Sequence, residues 1–170
     1  MPLTRIFLKF KGIFDLGGLL NVITDWFETR GYTVVIDQVK HKLKTQGYED
    51  EYQITGWRDE TDFHRIKIRF SMYMWEGNLV EVVVGGQQRK LMKARINICL
   101  EGDLEYDFQG RYDKSMFAKG LRTFLLNQVL KHRYGTIWED HLHYKVHEVG
   151  NNIKEYLDMQ SKGKYYKNMW

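Results

Sequence analysis

The chain has 170 residues, 43% hydrophobic and 15% aromatic, with 26 basic against 22 acidic side chains and a net charge of +4. That is enough apolar material for one core of single-domain size, and no apolar run reaches the length of a membrane span. One cysteine, Cys99, excludes an intramolecular disulfide, and the mild basic excess favours anionic partners without demanding them.

The only proline is Pro2, and no Pro/Ser-rich or low-complexity stretch divides the sequence, so residues 1–159 are expected to form one domain followed by a basic aromatic tail, 160–170. Arg5, Lys9 and Lys11 interrupt the apolar residues of the N-terminus, which removes a signal-peptide core from consideration. A soluble, cytoplasmic protein with no transmembrane segment is the expectation.

Thr4 to Phe14 alternates Ile6, Leu8 and Phe10 against Arg5, Phe7, Lys9 and Lys11, the period of two of a half-buried strand. Asp15 stands at the N-cap position of a helix in which Leu16, Leu19, Leu20, Ile23, Trp26 and Phe27 recur at helical spacing, and Gly31 supplies a left-handed stop. Gly17 and Gly18 cost about 1 kcal/mol each relative to alanine, which predicts a loose first turn or a close backbone approach. Tyr32, Val34 and Ile36 then give way to Val39, His41 and Leu43, a change of phase that implies a bulge near Asp37 and Gln38.

Gly47 to Asp50 reads as a polar connector and Tyr52 to Asp59 as a short strand. The clearest alternation follows. Ile66, Ile68, Phe70, Met72 and Met74 fall on one face, and Arg65, Lys67, Arg69, Ser71, Tyr73 and Trp75 on the other. Glu76-Gly77-Asn78 reads as a hairpin tip and Leu79 to Val84 as the next strand. Gly85-Gly86 with Gln87 to Lys90 reads as a break, Leu91 to Glu101 as a strand, and Gly102 as a turn into a last strand from Asp103 to Gln109. Ala94, Ile96, Ile98, Leu100, Leu104, Tyr106 and Phe108 share its apolar face.

From Asp113 the period becomes helical, with Phe117, Leu121, Phe124, Leu125 and Val129 aligned. Gly135 punctuates it and Thr136 with Glu139 has capping-box spacing. Trp138, Leu142, Val146, Val149, Ile153, Tyr156 and Leu157 form the buried stripe of a helix from Ile137 to about Met159. The expected fold class is α+β, a curved antiparallel sheet of about six to seven strands packed on a long C-terminal helical element in the order β-α-β6-α-α. Residues 113–159 form either one bent helix or two. This order is similar to the helix-grip arrangement of START-like and related ligand-binding domains. That likeness implies a cavity between sheet and last helix, which Met72, Met74, Tyr106 and Phe108 would line for an apolar small molecule or lipid.

Other candidate sites are weaker. Glu139, Asp140, His141, His143 and His147 bring ligand-type side chains onto one helix, His143 and His147 four apart. No HExxH spacing is present, and a solvated helix flank explains the same residues, so no metal and no cofactor is expected. Arg65, Lys67, Arg69, Lys93 and Arg95 form a basic ribbon beside Tyr73 and Trp75 that could take single-stranded nucleic acid. Asp103, Glu105 and Asp107 alternate nearby and would pair with it at roughly 0.2–1 kcal/mol per pair. The tail carries Tyr165, Tyr166, Met169 and Trp170 among lysines. With only three serines, none in a nucleophile elbow, and no local activator of Cys99, no catalytic residue stands out. The sequence therefore points first to a non-catalytic protein that works by protein–protein contact, a subunit or adaptor of a larger assembly, with Tyr73, Trp75, Tyr165, Tyr166 and Trp170 as interface candidates. An apolar-ligand module and RNA binding on the basic face are the alternatives.

Overall fold

A computed structural model describes residues 3–84, 87–110, 116–124 and 135–159. The elements run β1 (Thr4–Phe14), α1 (Leu16–Thr29), β2 (Thr33–Lys44), β3 (Gly47–Asp59), β4 (His64–Val84), β5 (Gln87–Tyr106), α2 (Met116–Phe124) and α3 (Gly135–Tyr156). The class is α+β, and the five strands form one antiparallel sheet in the order β1-β5-β4-β3-β2.

Five strands replace the expected six to seven because two apparent turns lie inside strands. Glu76-Gly77-Asn78 is a shift of register within β4, where pairing passes from Trp75 opposite Arg95 to Asn78 opposite Lys93, and Glu76 takes the left-handed conformation at φ 56°. The one extra residue, Glu76-Gly77 against Ala94, is absorbed as a bulge and the strand continues. Gly102 likewise continues β5, paired with Ile68 on one side and Thr4 on the other. Its missing side chain serves packing, since a Cβ there would lie 2.7 Å from Val146 Cγ2 and 2.8 Å from Leu142 Cδ1. The expected break at Gln87 to Lys90 belongs to β5, and the expected connector at Gly47 to Asp50 opens β3.

Other local expectations stand. Pairing of β2 with β3 slips between Ile36 and Gln38, as the change of phase required. Asp15 occupies the N-cap position of α1 in extended conformation but makes no side-chain cap bond, so that expectation is met in place and not in bonding, and Gly31 has φ 72°. Gly18 is approached closely by the Tyr156 ring, whose hydroxyl donates to the Asp15 carbonyl at 3.2 Å. Gly135 is the first residue of α3. Residues 125–134 are outside the described residues, so the described helices are 116–124 and 135–156.

Every second residue from Ile66 to Met74 of β4 and from Ala94 to Leu104 of β5 faces inward. Ile66, Ile68, Phe70, Met72, Met74, Ile96, Ile98 and Leu100 are all but sealed from solvent. Leu19, Ile23, Trp26 and Phe27 of α1 and Leu142, Val146, Val149 and Ile153 of α3 close over them. Let the end of the sheet where β1 finishes be its upper end. Then α1 descends from Phe14 to Thr33, while α3 climbs from Gly102 past Leu100 and Ile6 to Asp15. Truncating one such core side chain typically costs about 2–5 kcal/mol. The inner face is thus consumed by packing, and the opposite, outer face is left for function.

Candidate functional site

Register fixes which side chains meet on the outer face. At the lower end, Arg65 stands between Asp59 and Glu105, Lys67 opposite Asp103, and Arg69 and Arg5 flank Glu101. Arg65 Nε donates to Asp59 at 2.5 Å, Lys67 reaches Glu105 at 3.3 Å, and Glu101 accepts from Arg5 at 2.5 Å and from Arg69 at 3.4 Å. Cross-strand pairing was the expected use of this ribbon and is what occurs there, although Asp59 and Glu101 are partners the sequence reading did not name. Asp107 is buried off the face.

The upper half of the same face is different. Lys93 and Arg95 of β5 lie beside Lys9 and Lys11 of β1, with Lys11 directly opposite Arg95. Arg95 has a loose contact to Glu76 at 3.4 Å, and Lys9, Lys11 and Lys93 have no ion pair among the described residues. Two contiguous depressions of about 900 and 800 Å³ open here. They share Lys11, Gln46, Glu76 and Arg95, and their walls carry five cations against the carboxylates of Glu49 and Glu76. Lys9, Lys11 and Lys44 were not among the candidates, because only the closure of β1 onto β5 and the curl of the β2–β3 hairpin bring them to Arg95.

Tyr73 and Trp75 lie on the floor between the two halves. Their rings are stacked, 6.0 Å apart and 19° from parallel, and Tyr73 is 44% exposed. Tyr73 Oη donates to Glu51 at 2.9 Å, which raises the tyrosine pKa and helps to lower that of Glu51. A third depression, about 500 Å³, lies below them and includes Trp57, Arg69 and Cys99. Burial, reinforced by Glu101, pushes the Cys99 thiol up, away from the thiolate that nucleophilic chemistry needs.

The remaining candidates are dispersed. Met72 and Met74 belong to the packed core. Tyr106 rests against His64 and Phe63, and Phe108 lies under the Arg65 guanidinium at 4.2 Å, so these four do not line one pocket. His143 and His147 rings are 4.2 Å apart, and burial together with the His143 charge lowers the pKa of His147. No group of three or more metal-ligating side chains occurs among the described residues. Tyr165, Tyr166 and Trp170 lie outside the described residues. Among those described, no helix is long and apolar enough to cross a membrane.

Apolar side chains are also left uncovered at the sheet edge. On β2, Ile36 is 61%, Val39 56% and Leu43 74% exposed, and on α2 Met116 and Phe117 are almost fully in solvent. Comparison with protein-family models, with curated proteins and with solved structures yields no match, so the reading of this chain rests on its own geometry.

Proposed function

We propose that the protein is a non-catalytic subunit or adaptor that acts through protein–protein contact, with β2 as its principal docking edge. The observation that carries this reading is the row Val35, Ile36, Val39 and Leu43, aliphatic on both faces of a strand that ends the sheet and pairs with β3 alone. An edge strand of 12 residues offers a line of backbone donors and acceptors, and natural proteins usually blunt such an edge. Lys40, Lys42 and Lys44 do so at one end. The bulge at Asp37 interrupts the edge, but Val35, Ile36 and Val39 keep their aliphatic side chains uncovered, and a partner segment laid along this edge would cover them.

The uncovered faces of Met116, Phe117 and Phe124 on α2 support the same reading, since apolar surface of this kind is characteristic of interaction sites. The finer architecture, strand order 1-5-4-3-2 with a last helix laid along the sheet, is similar to a helix grip. The apolar-ligand function associated with that arrangement gains nothing from the packing of Met72 and Met74.

Native mass spectrometry of the protein purified gently from its own cells, with amide exchange over 33–44, tests the proposal. A mass above one chain with β2 amides protected in the complex is expected. A bare monomer with β2 amides exchanging freely at all concentrations would overturn it.

A further inference from the structure

We propose that the upper outer face of the sheet binds single-stranded nucleic acid, holding phosphates on Lys9, Lys11, Lys93 and Arg95 and stacking a base on the Tyr73–Trp75 pair. The outer face is charge-segregated along its strands. At the lower end Glu101 and Glu105 neutralise their cationic neighbours, whereas Lys9, Lys11 and Lys93 have no ion pair among the described residues. Lysines on β1 serve to protect an edge strand, but β5 is an interior strand and needs no such protection.

One pairing in particular works against the fold. Lys11 and Arg95 stand directly opposite, and like charges in that position are destabilising. Among the described residues Glu76, at 3.4 Å from Arg95, is the one ion-pair partner that offsets it. A bound anion would turn that repulsion into shared attraction.

The spacing suits a polymer better than a single small anion. Successive outward residues on β5 are about 7 Å apart and neighbouring strands about 5 Å, so the four cations mark out a track across two strands and not a point. Arg89 keeps the alternation of Lys93 and Arg95 and extends the track along the β4–β5 hairpin. The aromatic pair flanks this track on β4, with Tyr73 opposite Asn97 and level with Lys9, and Trp75 opposite Arg95 and level with Lys11, so a stacked base would lie within reach of a phosphate contact. Rings on the floor of a trough can meet an unpaired base but not the edges of a closed duplex.

The test is fluorescence anisotropy of the full chain with a labelled oligouridylate of about 12 nucleotides, within the range such platforms cover, and with a duplex of equal length. Salt is varied from about 50 to about 200 mM. Single-strand binding that falls steeply with salt is expected. Lys93→Ala with Arg95→Ala should weaken it at least tenfold and flatten the salt dependence by about two charges. Trp75→Ala should weaken it about fivefold or more while leaving the salt slope unchanged. Circular dichroism confirms that each variant is folded. Lys67→Ala, in the neutralised half, serves as a control and should change affinity less than twofold. Absence of binding at about 50 mM salt, a preference for duplex, or equal losses from Lys67→Ala and the double variant would overturn the proposal.

Discussion

The ring of Phe27 lies against the backbone of Gly56, so close that a methyl group on Gly56 would sit 2.5 Å from Phe27 Cε1 and nearer still to Cδ1. Phe27 itself is completely buried. The absence of a side chain on β3 is therefore what lets α1 settle onto the sheet.

Gly56→Ala should lower the unfolding free energy by about 1–3 kcal/mol, the usual cost of overpacking a filled core. Phe27→Leu made in that background should cost less than it does alone, giving a coupling of about 0.5–3 kcal/mol. Urea unfolding followed by circular dichroism measures all four proteins of the cycle. Strict additivity would mean that the two positions do not press on each other.

Tyr32 makes stability depend on alkaline pH. Burial pushes its hydroxyl from 10.0 up to about 12, opposed in part by the positive charge of Arg58. Because the folded pKa is raised, the contribution is whole below pH 10 and is lost as pH rises towards 12, at about 1.4 kcal/mol per unit. Tyr32→Phe should flatten the fall in stability across that window. Its hydroxyl has no hydrogen-bond partner among the described residues, so the same substitution should be neutral or mildly stabilising at pH 7. Chemical denaturation at several pH values reads both effects, and an unchanged alkaline fall in the variant would contradict the assignment.

Arg58 fastens the end of α1 to the end of β3. Its Nη1 donates to the Arg30 carbonyl at 2.9 Å, its Nε to Glu60 at 2.7 Å, and its guanidinium lies 5.2 Å from the Tyr32 ring centroid. Arg58→Ala should cost about 1–2 kcal/mol, less than a buried charged bond because the group is partly solvated. Arg58→Lys should recover less than half of the loss, since an ammonium cannot reproduce the planar fork. Thermal unfolding at pH 7 ranks the three proteins, and a fully restored lysine variant would show that charge alone matters.

At the β2 edge the prediction separates assembly from folding. Ile36→Lys with Val39→Lys places two charges on side chains already more than half exposed, so unfolding free energy should move by no more than about 0.5 kcal/mol. Association should be lost. Light scattering after size-exclusion chromatography reports mass, and an oligomer that survives both lysines would place the contact elsewhere.

Much of the core was legible because it is periodic. The run from Ile66 to Met74 and the stripe from Leu142 to Ile153 are buried as their spacing demanded, and the slip at Asp37 announced itself as a change of phase. Strand count was misread where local turn chemistry competes with tertiary pairing. Glu76-Gly77-Asn78 has the composition of a hairpin tip, yet β5 supplies partners on both sides of it. Gly102 has the composition of a turn, yet α3 needs its bare backbone. The candidate site was only half visible for a related reason. Arg65 to Arg69 share one strand and can be found by alternation, whereas the juxtaposition of Lys11 with Arg95 depends on which strand β1 chooses, and no local pattern encodes that choice.

That choice also sets when the protein can form. Of the described strands, the earliest in sequence takes its place beside the latest, Arg5 opposite Glu101, and β5 fills the gap between β1 and β4. Until translation has passed Tyr106, Leu8 and Phe14 have no sheet to join and α1 has only part of a surface to cover. β1 must therefore wait as an adhesive, unpaired segment until β5 emerges, and its docking requires closure of a long loop, from Phe14 to Met92 at its shortest. Ribosome stalling within β4 or β5, or a truncation that removes β5, would release a chain with two open strand edges at once.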